Sequence, residues 1–247
     1  MRNTIRDIVK HTGSLGFIET VVIEGTESVT KVESVATDNS VILKGTLRDP
    51  KSEFVGKFGF TNLNLLKQLL EFPNYKTDGA KVLMKHRERH GVKSPDEIVF
   101  EDENGSKDHY RLQATVPNQP SFLGATWNVE VAPSKSVIKE FAQRASMYGA
   151  IESKFLVTVE DGNLVFYFGD PDAATHKGTM VFEKGVTGTL KDRIYWPIAQ
   201  VIQILKLSDG EDCTLSISDV GALQITIESE LAEYRYILPG KKSKSED

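Results

Sequence analysis

Residues 5–20 read IRDIVKHTGSLGFIET, and residues 138–153 read IKEFAQRASMYGAIES. The two stretches align without a gap at an offset of 133, with Ile5/Ile138, Gly16/Gly149, Ile18/Ile151 and Glu19/Glu152 identical. Arg6/Lys139, Asp7/Glu140 and Thr20/Ser153 keep charge or chemistry. Self-similarity at a fixed long offset points to duplication of a whole structural unit. The remainder of each half agrees, since both continue with β-type alternation, a short second helix and further strands. The second helix is expected over 61–71 in the first half and 194–206 in the second. Thr61 or Asn62 suits an N-cap, and Pro197 suits a first helical position, where its missing N–H costs nothing. Each half then closes on a related strand, HYRL at 109–112 and EYRY at 233–236.

Two copies of one α+β domain follow, at 1–117 and 126–240, with a connector at 118–125 and a polar tail at 241–247. Pro117, Pro120 and Gly124 punctuate the connector, which also carries Phe122 and Leu123, apolar residues that a solvated linker does not need. Asp161-Gly162 between two apolar alternating runs, 155–160 and 164–168, signals a tight hairpin. A second hairpin is expected from Leu215 to Ile227, turning near Asp219-Val220-Gly221. The second half also opens with a strand at Trp127–Val131 before its helix; the first half has no residues that could supply its counterpart.

The 247 residues hold one cysteine, Cys213, which excludes an intramolecular disulfide and fits an intracellular protein. Neither an apolar leader nor a run of about 18 apolar residues is present, so a soluble, cytoplasmic protein is expected. Charge is more informative than its total. Arg2, Arg6 and Lys10 share one face of the first helix, and Ile5, Ile8 and Val9 take the other. In the repeat helix Lys135, Lys139 and Arg144 mark one side, and Ile138, Phe141, Ala142 and Ala145 the other. The second helices expose Asn64, Lys67, Gln68, Gln200, Gln203 and Lys206. Together the four helical stretches carry +5 and the rest of the chain −10, against a net −5. A basic face on a single helix is usually just a solvated one. Two related basic helices on an acidic chain instead describe a surface that attracts phosphates by counterion release and reads no bases.

Signals for catalysis are weak. His86 and His90 have the i, i+4 spacing of a helical metal pair, but a charged loop accounts for them better, and no metal or cofactor is expected. Asp102-Glu103-Asn104-Gly105 lacks a calcium-loop pattern and reads as a turn. No phosphate-cradling glycine motif or paired-cysteine motif occurs. Cys213 lies beside Glu211 and Asp212, which disfavour a thiolate. A non-enzymatic protein is expected.

The order and duplication of elements resemble the DNA sliding clamps. Residues 54–69, FVGKFGFTNLNLLKQL, are similar to the strand and inner helix of T4-type phage clamps. Residues 32–38, VESVATD, resemble a strand of the eukaryotic clamp, proliferating-cell nuclear antigen, and residues 236–241, YILPGK, its aromatic-aliphatic-proline ending. The resemblance implies a DNA-clamp fold, two tandem βαβββ-type domains with helices on one sheet face. It further implies a homotrimeric ring around duplex DNA, acting as a processivity factor in the cytoplasm of a phage-infected bacterium. Arg2, Arg6, Lys10, Lys67, Lys135, Lys139, Arg144 and Lys206 would face DNA. DNA polymerase and clamp loader would bind through short hydrophobic peptides, in a pocket lined by Val35, Phe122, Leu123, Tyr236, Ile237, Leu238 and Pro239. The first half's sheet is expected to start short, and the connector, shorter than in the eukaryotic clamp, favours the phage type. The competing expectation is a structural phage assembly protein, a duplicated α+β domain that assembles by sheet edges and never touches DNA.

Overall fold

A computed structural model describes residues 1–89, 91–116, 120–172, 174, 176–208 and 212–242. The chain divides into two units: Met1–Ser121 with Ser229–Tyr234, and Phe122–Glu228 with Arg235–Asp247. The first unit's elements are α1 (Arg2–His11), β1 (Val21–Gly25), β2 (Thr30–Val35), β3 (Ile42–Leu47), β4 (Gly56–Phe60), α2 (Leu63–Glu71), β5 (Lys81–Arg89), β6 (Val92–Glu101) and β7 (Lys107–Arg111). Those of the second are β8 (Val129–Val131), α3 (Lys135–Tyr148), β9 (Lys154–Glu160), β10 (Asn163–Phe168), β11 (Gly178–Lys184), β12 (Ile194–Pro197), α4 (Ile198–Leu205), β13 (Asp212–Ser218), β14 (Ala222–Glu228), β15 (Ala232–Pro239) and β16 (Lys241–Lys242), with the start of β15 assigned to the first unit.

The duplication holds strand by strand. In the first unit β4-β1-β2-β3 are neighbours in that order, followed by the start of β15; β5-β6-β7 form a second sheet. In the second unit β12-β9-β10-β11 repeat the first order, with β16 added beside β12, and β13-β14-β15 repeat the second, with β8 added beside β13. β2 and β10, at 30–35 and 163–168, are displaced by the same 133 residues as the helices. All strand pairs in these sheets with a defined register are antiparallel.

The helices form where apolar residues recur at helical spacing and bury themselves. Ile5, Ile8 and Val9 of α1 are at most 3% exposed. Leu63, Leu66 and Leu70 of α2 are buried, and so are Ile198, Val201 and Leu205 at the matching positions of α4. Asn62 is the N-cap of α2: its side chain accepts the Leu65 N–H at 3.4 Å, and its φ of 51° falls where asparagine is tolerated. Ser134 caps α3 by accepting from the Val137 N–H. In the second unit's core Phe141 meets Phe155, Phe166, Phe168 and Phe182 at centroid distances of 5.2–6.2 Å. Phe54, Phe58 and Phe60 form a smaller edge-to-face cluster in the first unit. Such contacts add about 0.5–1.5 kcal/mol each beyond area burial.

Several expectations need correction. The helix expected over 194–206 begins only at Ile198, because Ile194 and Trp196 alternate inward and pair with β9 as strand β12. Pro197 is the N-cap. The charged stretch around His86 is strand β5, whose odd-numbered residues 81–87 are exposed and whose even ones are half-buried; His90 lies outside the described residues. The polar tail expected from 241 opens as strand β16, where Lys241 and Lys242 pair with Tyr195 and Ile194. The units divide between Ser121 and Phe122, within the stretch 118–125 given above as the connector, and Ser229–Tyr234 is assigned to the first unit. Connector residues 117–119 and tail residues 243–247 lie outside the described set. Among the described residues no strand precedes α1, and no helix is long and apolar enough to cross a membrane.

Candidate nucleic-acid interface

Each unit pairs its two helices, and the seam between them is a shallow groove. In the first unit it is lined by Arg6, Val9, Lys10, Ser14, Lys67, Leu70 and Glu71, and holds about 270 Å³. In the second it is lined by Lys135, Ile138, Lys139, Ala142, Leu205, Lys206 and Ser208, and holds about 280 Å³. The grooves occupy equivalent places in the duplication. Arg6 matches Lys139 and Val9 matches Ala142 at the offset of 133, while Leu70 matches Leu205 and Glu71 matches Lys206 at the offset of 135 that superposes α2 on α4. Both have an apolar floor and a rim of long cationic side chains, whose stems can lie along the floor while the charges stay in water.

Six of the eight sequence-selected basic residues line these grooves: Arg6, Lys10 and Lys67 in one, Lys135, Lys139 and Lys206 in the other. The structure draws the other two elsewhere. Arg2 opens α1 and lines a separate hollow with Met1, Asn3, Ala80 and Val82; its Nη2 is enclosed without a hydrogen-bond partner. Burial and the nearby Arg6 charge lower its pKa. Arg144 is engaged on its own unit, with Nε 2.8 Å from Glu140 Oε1 and Nη1 donating to the Thr179 carbonyl of β11.

The expected peptide pocket is not assembled from the side chains selected for it. Tyr236, Ile237 and Leu238 are 0–4% exposed and belong to the core. The reason lies in where the chain goes next. Trp196 Nε1 donates to the Leu238 carbonyl at 3.2 Å, Gly240 N–H donates to Gly221, and the chain then crosses to pair with β12. The crossing is so tight that a Cβ on Gly240 would lie 2.3 Å from Ile194. Pro239 is exposed, and Val35 is half-buried in the first unit. Phe122 is half-buried against Trp127, with ring centroids 6.2 Å apart, leaving Leu123 95% exposed.

Of the residues weighed for catalysis or metal binding, His86 and Asp102 have structural partners. The described residues contain no group of three or more potential metal ligands. His86 Nε2 lies 3.0 Å from the Glu53 carbonyl. Asp102 closes a turn by accepting the Asn104 and Ser106 N–H groups, which holds its carboxyl below the usual range. Burial pushes the Cys213 thiol up to about 12, in place of the flanking charges that the sequence offered as the cause; Glu211 lies outside the described residues.

Sequence reasoning missed two features. Glu71 sits in the first groove 3.6 Å from Arg6 and also pairs with Lys76; aligning α2 with α4 finds it, as the acidic counterpart of Lys206. The other is a buried network in the first unit. Asp7 Oδ2 accepts from Tyr234 Oη at 2.8 Å and Ser229 Oγ at 3.0 Å, and Oδ1 lies 3.4 Å from His11 Nδ1. His11 is fully buried and stacked on Tyr234 at 4.2 Å. Only the i, i+4 spacing of Asp7 and His11 was visible in the sequence.

No protein-family model matches this chain, and no curated protein matches it by sequence. Solved structures do match. PCNA from Thermococcus kodakaraensis aligns with a TM-score of 0.70 at 10% identity, over 96% of this chain and 97% of that one. A. fulgidus PCNA, solved with the C-terminal region of FEN-1 bound, gives 0.69 at 10% identity, over 99% and 98%. Proliferating Cellular Nuclear Antigen from Entamoeba histolytica gives 0.66 at 10% identity, over 97% and 94%. With an α+β duplication that matches these structures across nearly its whole length, the chain has the sliding-clamp fold.

Proposed function

We propose that this protein is a DNA polymerase processivity factor that closes as a homotrimeric ring around duplex DNA and tethers its partners by topology rather than by tight binding. The observation that carries the reading is the pair of equivalent grooves with cationic rims, on an otherwise acidic chain. Such rims attract a phosphate backbone without reading sequence, which a sliding contact requires. The fold likeness supports the reading. The bound FEN-1 segment of the A. fulgidus protein supports extending it to partner peptides, for which the exposed Leu123 beside the Phe122–Trp127 pair is the available apolar foothold.

Ring closure has a structural counterpart in the strand order. In the first unit β3 is followed by the start of β15, whereas its duplicate β11 is a sheet edge; the duplicate of β15, β7, is an edge as well. Open edges attract further strands, and pairing β11 of one copy with β7 of the next is a head-to-tail contact that can close into a ring.

The test is replacement of Lys135, Lys139 and Lys206 by alanine together. These side chains are exposed, so stability should change by no more than about 0.5 kcal/mol per site, verified by thermal unfolding. Clamp-dependent DNA synthesis should fall severalfold at low salt, with the gap to wild type narrowing as salt rises, because fewer phosphate contacts flatten the salt dependence. Synthesis equal to wild type at every salt concentration would sink the reading.

A further inference from the structure

We propose that the two grooves grip the duplex backbone unequally, the second unit's groove being the principal phosphate contact and Glu71 making that of the first a weak one. This deepens the DNA-clamp reading above and rests on it.

The asymmetry centres on one pair of equivalent positions; elsewhere Lys10 and Lys67 of the first groove align with Gln143 and Ile202, and Lys135 of the second with Arg2 of the separate hollow, so each groove carries three cations. Of the charged residues that align between the grooves, Arg6 and Lys139 keep their sign, while Glu71 stands where Lys206 does. The consequence exceeds one unit of charge, because the carboxylate engages its neighbours. Glu71 Oε1 is 3.6 Å from Arg6 Nε, and Oε2 pairs with Lys76. Lys76, Arg6 and the nearby Lys67 hold the Glu71 carboxyl below the usual range, so it is ionised wherever DNA is. A phosphate entering the first groove must therefore compete with a resident anion for Arg6. In the second groove, Lys135, Lys139 and Lys206 form no ion pair with one another's surroundings among the described residues, and all three are exposed. Volume and floor are alike in the two grooves, so shape does not set them apart. Charge does.

A weak contact alternating with a strong one suits a sliding ring. Equal, strong grips around the duplex would each have to release for a step along the backbone. Weakening half of them preserves attraction to the duplex and lowers what must be broken at once.

The experiment separates groove-specific grip from bulk charge. Binding of the full-length protein to a fluorescein-labelled 30-base-pair duplex of mixed sequence is measured by anisotropy across a salt series, with circular dichroism as a check on folding. In wild type, Lys139→Ala should weaken binding about threefold and flatten the slope of log K against log salt by about 0.9. Arg6→Ala, its counterpart, should change both only slightly. The exchange variant Glu71→Lys with Lys206→Glu leaves net charge unaltered but moves the strong groove to the first unit, so Arg6→Ala should become the costly substitution in that background. If Arg6→Ala and Lys139→Ala cost the same in wild type, or their order survives the exchange, the inequality is refuted while the DNA reading stands. If neither substitution alters salt-dependent binding in either background, the DNA reading fails and takes this inference with it.

Discussion

Asp7 ties α1 to a segment more than two hundred residues away through one carboxylate oxygen, and the other lies beside His11 of the same helix. Tyr234 and Ser229 donate to the first, and His11 also stacks on the Tyr234 ring. Ser229 also accepts the Leu231 and Ala232 N–H groups, so the turn into β15 is built on the same hub. Removing the carboxylate deletes the bonds that Tyr234 Oη and Ser229 Oγ make to it, while His11 Nδ1 keeps the Asp7 main-chain carbonyl at 2.8 Å and Ser229 Oγ the Ala232 carbonyl at 3.2 Å; bonds to a charged group cost more to lose than neutral ones. Asp7→Ala should destabilise the protein by about 2–4 kcal/mol and Tyr234→Phe by about 1 kcal/mol. In urea denaturation the double mutant should fall well short of the sum, since the two residues share one interaction. Additive losses, or a cost for Asp7→Ala under 0.5 kcal/mol, would count against the hub. Cys213 gives a second test at this scale. Burial raises its pKa from 9.0 to about 12, so the native thiol should resist alkylation at pH 8 and react only in denaturant. A group raised in the folded state favours folding below the unfolded pKa, and this contribution should fade as pH climbs from about 9 toward 12. Rapid native labelling would show the site to be open.

At the scale of elements, the sequence was most legible where a local pattern and its tertiary role coincide. Asp161-Gly162 is such a case: φ values of 49° and 71° place both residues in the left-handed region that a two-residue hairpin needs, and Glu160 faces Asn163 across the turn. Gly162→Ala should therefore cost about 1 kcal/mol in chemical denaturation, although no atom lies within 4 Å of the added Cβ. A neutral result would mean that the turn relaxes to another type. The helices were legible for a similar reason, because Ile5, Ile8 and Val9, or Leu63, Leu66 and Leu70, bury on the face that their spacing selects. The misreadings share a cause too. Ile194-Tyr195-Trp196 is strand-type in composition and only Pro197 after it suits a helix start; read together with the helical run beyond, the strand merged into the helix until its pairing with β9 set it apart. Tyr236, Ile237 and Leu238 look like pocket lining next to a proline, yet the tail carries on to pair with β12 and leaves them in the core. Glu71 was counted as ordinary helix charge, since its meaning appears only once α2 is laid over α4 and Lys206 is found in its place.

At the scale of the whole molecule, exposed apolar residues indicate where another copy fits. Ile151 is 52% exposed, although its identical counterpart Ile18 is 4% exposed; Phe72 is 47% exposed, although its counterpart Leu207 is 8% exposed. Each exposed member lies beside an open sheet edge. Tyr148 at the end of α3 covers Gly178 of β11 so closely that a Cβ there would meet the ring at 2.5 Å, with Met147, itself 65% exposed, next to it and Ile151 just beyond. Phe72 packs on Tyr75, whose hydroxyl donates to Asp108 of β7 at 2.6 Å. The duplication thus leaves one apolar flank and one open strand at each of two sites, in different units, where the equivalent positions are covered. In the proposed ring a second copy would supply the complement of both. Identical subunits joined in this head-to-tail manner must form either a closed ring or an open filament, and the ring of three is the form proposed above. Sedimentation should show a species near three times 27.5 kDa at micromolar concentration. Phe72→Glu and Ile151→Glu should each yield a folded monomer with a melting temperature within a few degrees of the wild-type monomer, because neither side chain belongs to a core, and both should abolish clamp-dependent synthesis while leaving the basic grooves intact. A wild-type protein that stays monomeric at high micromolar concentration would overturn the ring itself. Trimers that persist in both variants would show that the subunits meet along some other surface.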